Sequence, residues 1–187
     1  MNSYQVKELE TNSNLIGIRF KAENFGFLSR VPLIETKNLS INLSEIFSKP
    51  DLANLSQINK FETSIDKVKF LEAIVLTKLT KNYEKQDLLV LSVAKYIRLI
   101  KGNINVQDLA RLYNLSLRQL ERRFKKNIGL TIKEFSSIIR FNITKRKIKN
   151  LTKQSLLEIA VEVGFFDHAH MTHEFKRLSG ENPSYFR

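Results

Sequence analysis

Apolar residues recur at intervals of three and four along most of the chain, the spacing of one helix face. From Thr63 the series Ile65, Val68, Leu71, Ile74 or Val75, and Leu79 predicts a long helix, and polar Lys81 to Gln86 predicts a linker. Beyond Asp87 the same period predicts helices at about 88–101, 106–112, 116–127, 132–150, 155–162, 167–178 and 183–187. Gly102, Gly129, Gly164 and Gly180 each fall where an apolar run ends, as helix C-caps do. Asn105-x-x-Asp108, Ser116-x-x-Gln119 and Thr131-x-x-Glu134 mark starts, each with an N-cap acceptor and a polar partner three residues on. Asn182-Pro183 is a further start, with proline at the first helical position. The earlier part is less regular. Leu15, Ile16, Ile18, Phe20, Phe25 and Phe27, broken by Gly17 and Gly26, predict two short strands across Asn14 to Phe27. A helical turn around Leu43 to Phe47 and a short helix over Asp51 to Asn59 follow. The expected fold class is mainly α: a small α+β region over 1–86, then a seven-helix domain over 87–187.

Two blocks of the second region repeat each other. Leu109-Ala110 is matched by Ile159-Ala160, an offset of 50. Ser116, Leu120, Phe124, Lys125 and Gly129 are matched by Asp167, Met171, Phe175, Lys176 and Gly180, an offset of 51. The extra residue falls in the turn between two short helices, where an insertion costs least. Each block has the sequence form of a helix-turn-helix, in which the small alanine lets the second helix cross close over the first. One such block is a common helical hairpin. Two in tandem are a much stronger sign.

Charge sharpens the picture. The chain has 31 Lys and Arg against 19 Asp and Glu. Residues 101–187 alone carry 17 basic against 8 acidic groups, an excess of nine. A solvated basic face and a polyanion partner both fit that excess. A membrane surface fits less well, because the apolar positions are explained as core. Six glycines and three prolines in 187 residues argue against a sandwich or barrel, which needs frequent turns. The absence of Cys excludes disulfides, thiolate metal sites and cysteine nucleophiles. Met1 to Glu10 is polar, and no apolar stretch approaches the roughly 18 residues that span a bilayer, so the expectation is a soluble, cytoplasmic protein.

The helical wheel separates buried from outward positions. In 116–127, Leu117, Leu120 and Phe124 share one side, while Arg118, Gln119, Arg122 and Lys126 share the other, flanked by Lys125. Arg and Gln carry the paired donors and acceptors that match base edges in the major groove. In 167–178, Met171, Phe175 and Leu178 point inward, leaving Ala169, Thr172, His173 and Lys176 outward and His168 at the exposed N-terminal end. That second face suits a thymine methyl and phosphate or water-bridged contacts. The helix between the units has about 19 residues and spans about 28 Å, close to the roughly 34 Å of one duplex turn. Its apolar line, Phe135, Ile138, Ile139 and Ile143, seats it against both units.

Bland readings win elsewhere. His168 and His170 lie about 200° apart on a helix and cannot share a metal ion; no carboxylate completes a site with His170 and His173, so no metal or cofactor is expected. Phe124, Phe135, Phe165, Phe175 and Phe186 have core spacing. No nucleophile–base arrangement or phosphate-cradling glycine loop is present, and a DNA-repair methyltransferase of related architecture would need reactive cysteines. The chain is not expected to be an enzyme. The rival class is an interaction protein that uses helix-turn-helix folds for protein contacts.

The blocks LARLYNLSLRQLERRFKKNIGLTIKEF (Leu109 to Phe135) and IAVEVGFFDHAHMTHEFKRLSGENPSYFR (Ile159 to Arg187) closely resemble the DNA-binding domain of AraC-type transcriptional regulators. The G-F-x-D, F-K-R, G-x-x-P and Y-x-R elements are the most specific part. The resemblance covers about 88–187 and implies a bacterial, sequence-specific transcription factor with recognition helices at about 116–127 and 167–178 in successive major grooves. It implies base contacts from Arg118, Glu121 and Arg122, and from His168, Ala169, Thr172 and His173. Two departures stand out: His173 occupies a position where arginine is common, and Glu181 precedes Asn182-Pro183 where a small residue is usual. Duplex DNA and RNA polymerase are the implied partners. Residues 1–86 resemble the end of a sensor domain through Gly17-Ile18-Arg19-Phe20, too short before Pro32 for a full β-barrel. This region is the place for a small-molecule effector or self-association, and it reads as a sensor remnant, a shortened homologue or a fragment.

Overall fold

The computed structural model describes residues 16–26, 28–29, 31–81, 87–150 and 153–187. Among them are ten α-helices, two short 3-10 helices and no strand. The described residues group into two units, one of them Ser92–Phe124 with Leu130–Arg187, the other the residues up to Leu91 with Lys125–Gly129.

The N-terminal unit departs from expectation. Where strands were expected, residues 16–21 are irregular and α1, Ala22–Phe25, is a single helical turn. Asn14, Leu15 and Phe27 lie outside the described residues. The apolar alternation is too short, and is broken by Lys21, Glu23 and Asn24. A two-stranded ribbon of that length is marginal without a sheet to join. Instead Phe20 and Phe25 pack ring to ring across the turn at 5.6 Å. Helices α2 (Leu43–Ile46) and α3 (Lys49–Ser56) follow, then a 3-10 turn at Gln57–Lys60 and α4 (Ser64–Lys81). Ser48 and Asp51 cap α3 reciprocally, and Lys78 of α4 pairs with Asp51 at 2.6 Å. That ammonium and the Ser48 hydroxyl hold the Asp51 carboxyl well down, at about 2. The α4 apolar series is mostly not core: Val75 is buried, but Ile65 and Val68 are exposed, and it is α3 and the 3-10 turn that pack on α4 among the described residues of this unit. Of the linker expected over Lys81 to Gln86, Lys81 is instead the last residue of α4 and residues 82–86 lie outside the described set.

The helices that follow, α5 (Leu88–Leu99), α6 (Val106–Leu112), α7 (Leu117–Ile128), α8 (Ile132–Asn150), α9 (Leu156–Val163) and α10 (His168–Ser179), match the expected segments within two residues at each end. The seventh segment, Pro183–Phe186, is a 3-10 turn rather than an α-helix, and the Asn182 side chain makes no cap bond. Four glycines close helices in the left-handed region as expected, Gly102, Gly129, Gly164 and Gly180. α5 buries Val90, Val93, Ala94 and Ile97 on one stripe. α8 carries the C-terminal unit. Its first half buries Ile132, Phe135 and Ile139, with Phe135 edge-on to Phe124 of α7 at 5.4 Å. Its second half gives Ile148 to a core of Ile159, Ala160, Val163, Phe165, Met171 and Phe175, with Phe141 and Phe186 packed against it. Burying a side chain of this size contributes about 1.5–3 kcal/mol, so each hairpin is pinned to α8 by its own cluster.

Candidate nucleic-acid interface

Both repeated blocks fold as helical hairpins with one turn geometry. After α6, Asn114 takes a left-handed conformation, φ 52°, and the Leu115 N–H donates to the Ala110 carbonyl at 3.0 Å. After α9, Gly164 is left-handed, φ 89°, and the Phe165 N–H donates to the Ala160 carbonyl at 2.9 Å. These pairs sit 50 residues apart, the offset of the first half of the sequence repeat. The second helices start on equivalent caps. The Ser116 hydroxyl accepts from the Gln119 N–H at 3.2 Å, and an Asp167 carboxylate oxygen accepts from the His170 N–H at 2.6 Å. Phe166, the extra residue of the second turn, is 89% exposed.

α7 divides as its sequence demands. Leu120, Phe124 and Ile128 are buried, whereas Leu117 is partly exposed. Arg118, Gln119, Arg122, Lys125 and Lys126 are exposed. With Arg118 and Arg122 one turn apart, two guanidinium forks project from the same side. Gln119 is partly committed, since its carboxamide oxygen accepts from the Ser116 N–H at 3.0 Å. Glu121 is half-buried, and its carboxylate accepts from the Ile132 N–H at the start of α8, 3.4 Å away.

On α10, Met171 and Phe175 are buried and Leu178 half-buried. His168, Ala169, His173 and Lys176 are exposed. Thr172 is half-buried, its hydroxyl donating to the His168 carbonyl at 2.9 Å. The His170 ring stands edge-on to Phe165 at 5.5 Å, and its Nδ1 accepts from the Phe166 N–H at 3.4 Å. That imidazole therefore belongs to the turn. Among the described residues no group of three or more His, Asp or Glu is placed to hold a metal ion, and no helix is long and apolar enough to cross a membrane.

Sequence reasoning missed three features. The exposure of Phe166 follows from its position in the one-residue insertion, which an offset changing from 50 to 51 already marks. Glu174 of α10 accepts from Ser137 of α8 at 2.6 Å and takes two hydrogen bonds from Arg177 at 2.9 Å each. The Arg177 guanidinium, with Ser137, holds that carboxyl down at about 2 against the opposing effect of burial. Arg140 of α8 lies over the Phe165 ring at 5.2 Å. The polar Ser136-Ser137 step and Arg140, interrupting the apolar line of α8, were the available signal.

Residues 109–187 match a family described as a helix-turn-helix domain. The chain is 30% identical over 138 residues to the Msm operon regulatory protein of Streptococcus mutans, covering 71% of this chain and 49% of that protein. It is 35% identical over 83 residues to the HTH-type transcriptional regulator MtrA of Neisseria gonorrhoeae, covering 44% of this chain and 27% of that protein. The chain thus spans about half the length of the first relative and about a quarter of the second. No solved structure is a significant match.

Proposed function

Through residues 109–187 this chain belongs to the AraC-type helix-turn-helix regulators, and from that premise we propose that it binds one duplex site with α7 and α10 in successive major grooves. The observation that carries this reading is the shared geometry of the two hairpins. Each ends in a capped second helix whose outward face is free of the core. On α7 that face is Arg118, Arg122, Lys125 and Lys126; on α10 it is His168, Ala169, His173 and Lys176. Arg118 and Arg122 make the base-discriminating contacts, with Gln119 limited by its cap. Glu121 holds the start of α8 and contributes little to base reading. Ala169 and Thr172 offer methyl contacts, His168 and His173 single hydrogen bonds, and Lys125, Lys126 and Lys176 phosphate contacts.

On this reading, residues 87–187 form the DNA-binding domain, and the chain acts in the cytoplasm by binding rather than catalysis. Residues 1–86 are the sensor-like part, the place for an effector or self-association, and RNA polymerase is the partner at the promoter. The test is duplex binding across salt. Counterion release gives a slope of about −0.9 per phosphate contacted, so affinity for a selected site should fall steeply between about 50 and 200 mM salt. It should also survive heparin competition better than random DNA does. A flat salt response, or equal loss of both duplexes to heparin, contradicts the proposal and leaves the protein-contact module standing.

A further inference from the structure

Phe166 is 89% exposed, more than any other large apolar side chain among the described residues. A lone exposed apolar residue is ordinary on a protein surface, so its meaning rests on where and how it is held. It stands in the turn between α9 and α10, one residue before the Asp167 cap and two before His168, the first residue of α10. On the preceding side Phe165 is buried in the core, with the Arg140 guanidinium over its ring and the His170 ring edge-on to it. On the following side an Asp167 carboxylate oxygen accepts from the His170 N–H at 2.6 Å. Between them the Phe166 N–H donates to His170 Nδ1 at 3.4 Å. The backbone is thus held on both sides of a ring that touches little of the protein. The first hairpin has no counterpart, since its turn passes from half-buried Leu115 directly to the Ser116 cap.

The outward face beside this ring is poor in groups that discriminate bases. α10 exposes His168, Ala169, His173 and Lys176, and its arginine, Arg177, is committed to Glu174 by two hydrogen bonds. A recognition helix enters the major groove with its N-terminal residues against the base edges. A side chain projecting just ahead of His168 therefore arrives at the level of the first bases read. Aromatic carbon has one matching group there, the C5-methyl of thymine, because the rest of the base edge presents hydrogen-bond donors and acceptors.

We propose that Phe166 is a specificity-determining residue, packing on the methyl group of one thymine at the end of the bases read by α10. Cytosine lacks that methyl, so the contact favours thymine over cytosine at this position. The proposal rests on the duplex-binding reading and deepens it. The second hairpin reads through apolar contact where the first uses guanidinium groups.

The test is a methyl scan of a duplex site selected from random sequence, with the full chain. Each thymine is replaced in turn by deoxyuridine, which removes the methyl and leaves the pairing edge intact. One thymine in the part of the site that Arg122→Ala spares should lose about three- to fivefold in affinity, the worth of one buried methyl. In Phe166→Ala that position should bind equally with thymine and uracil, while any methyl read by Ala169 or Thr172 keeps its effect. Phe166→Ala should melt like the parent, because the ring it removes is exposed. Leu157→Ala, which truncates an exposed apolar residue of α9, should leave every methyl effect in place. A scan with no methyl effect that depends on Phe166 overturns the proposal. So does a Phe166→Ala variant that loses affinity with every methyl effect retained. Failure of the underlying reading looks different: a chain that selects no duplex site overturns both, whereas a selected site without a Phe166-dependent methyl overturns this proposal alone.

Discussion

The Glu121 carboxylate of α7 accepts the Ile132 N–H at the first turn of α8, at 3.4 Å. A negative charge there meets unpaired backbone donors at the positive end of the helix dipole. It ties the proposed base-reading helix to the long helix carrying both hairpins. Glu121→Gln should therefore cost about 0.3–1 kcal/mol of stability and leave the order of preference among duplex sites unchanged. Melting curves beside a binding panel check this, and a changed base preference with unchanged stability would return Glu121 to the reading face.

The two exposed faces should contribute unequally. A well-made bidentate arginine contact discriminates by about 1–3 kcal/mol. Arg122→Ala should relax specificity in one part of the site while the fold holds, since Arg122 is exposed beside the buried Leu120 and Phe124. His173→Ala should lower affinity by less and evenly across sequences. The control is Phe124→Ala, a truncation at 0% exposure expected to lose about 3–5 kcal/mol and binding with it. If His173→Ala collapses discrimination while Arg118→Ala and Arg122→Ala leave it untouched, the assignment of the dominant helix is wrong.

The two turns give a stability test that involves no DNA. Gly164 sits at φ 89°, and an added Cβ would come within 3.0 Å of the Asn103 side chain. Gly164→Ala should cost about 1–2 kcal/mol, chiefly as left-handed strain. At the equivalent position Asn114, φ 52°, Asn114→Gly should change stability by less than about 0.5 kcal/mol. Equal effects of the two, measured by denaturant unfolding, would show that the turns are not equivalent.

Acid should loosen the contact between α8 and α10. The Glu174 carboxyl is lowered from 4.5 to about 2, chiefly by the Arg177 hydrogen bonds. A depressed carboxyl contributes fully above its unfolded value and loses that contribution as pH falls toward its folded one. Stability should thus decline between about pH 5 and pH 2. The Glu174 share is on the order of 2 kcal/mol, reduced for the partly exposed Arg177. In Glu174→Gln the parent's acid sensitivity should shrink, as unfolding at pH 6 and pH 3 would show.

The C-terminal helices were legible because local chemistry there agrees with the global fold. Asn105, Ser116 and Thr131 cap where their spacing says, and the glycines close helices where apolar runs end. The outward face of α7 followed from the wheel because Leu120 and Phe124 leave no choice of side. In the N-terminal region the local signal misled. Ile18 and Phe20 alternate like a strand, but pairing needs a partner that no short window shows. The Val68 spacing likewise announces a helix without saying how much of its face finds a neighbour. Glu121 on Ile132, Glu174 on Ser137, and Arg140 over Phe165 are tertiary relationships between separate elements. Composition and period do not carry them.

The most direct measurement is the affinity of the full chain for every single-base substitution of a duplex site selected from random sequence. Two clusters of sensitive positions are expected, with centres about 10 base pairs apart, the separation of successive major grooves on one side of the duplex. Arg122→Ala should erase one cluster and spare the other. A single cluster, or two that fade together in Arg122→Ala, would contradict the account of α7 and α10 as two helices reading one site.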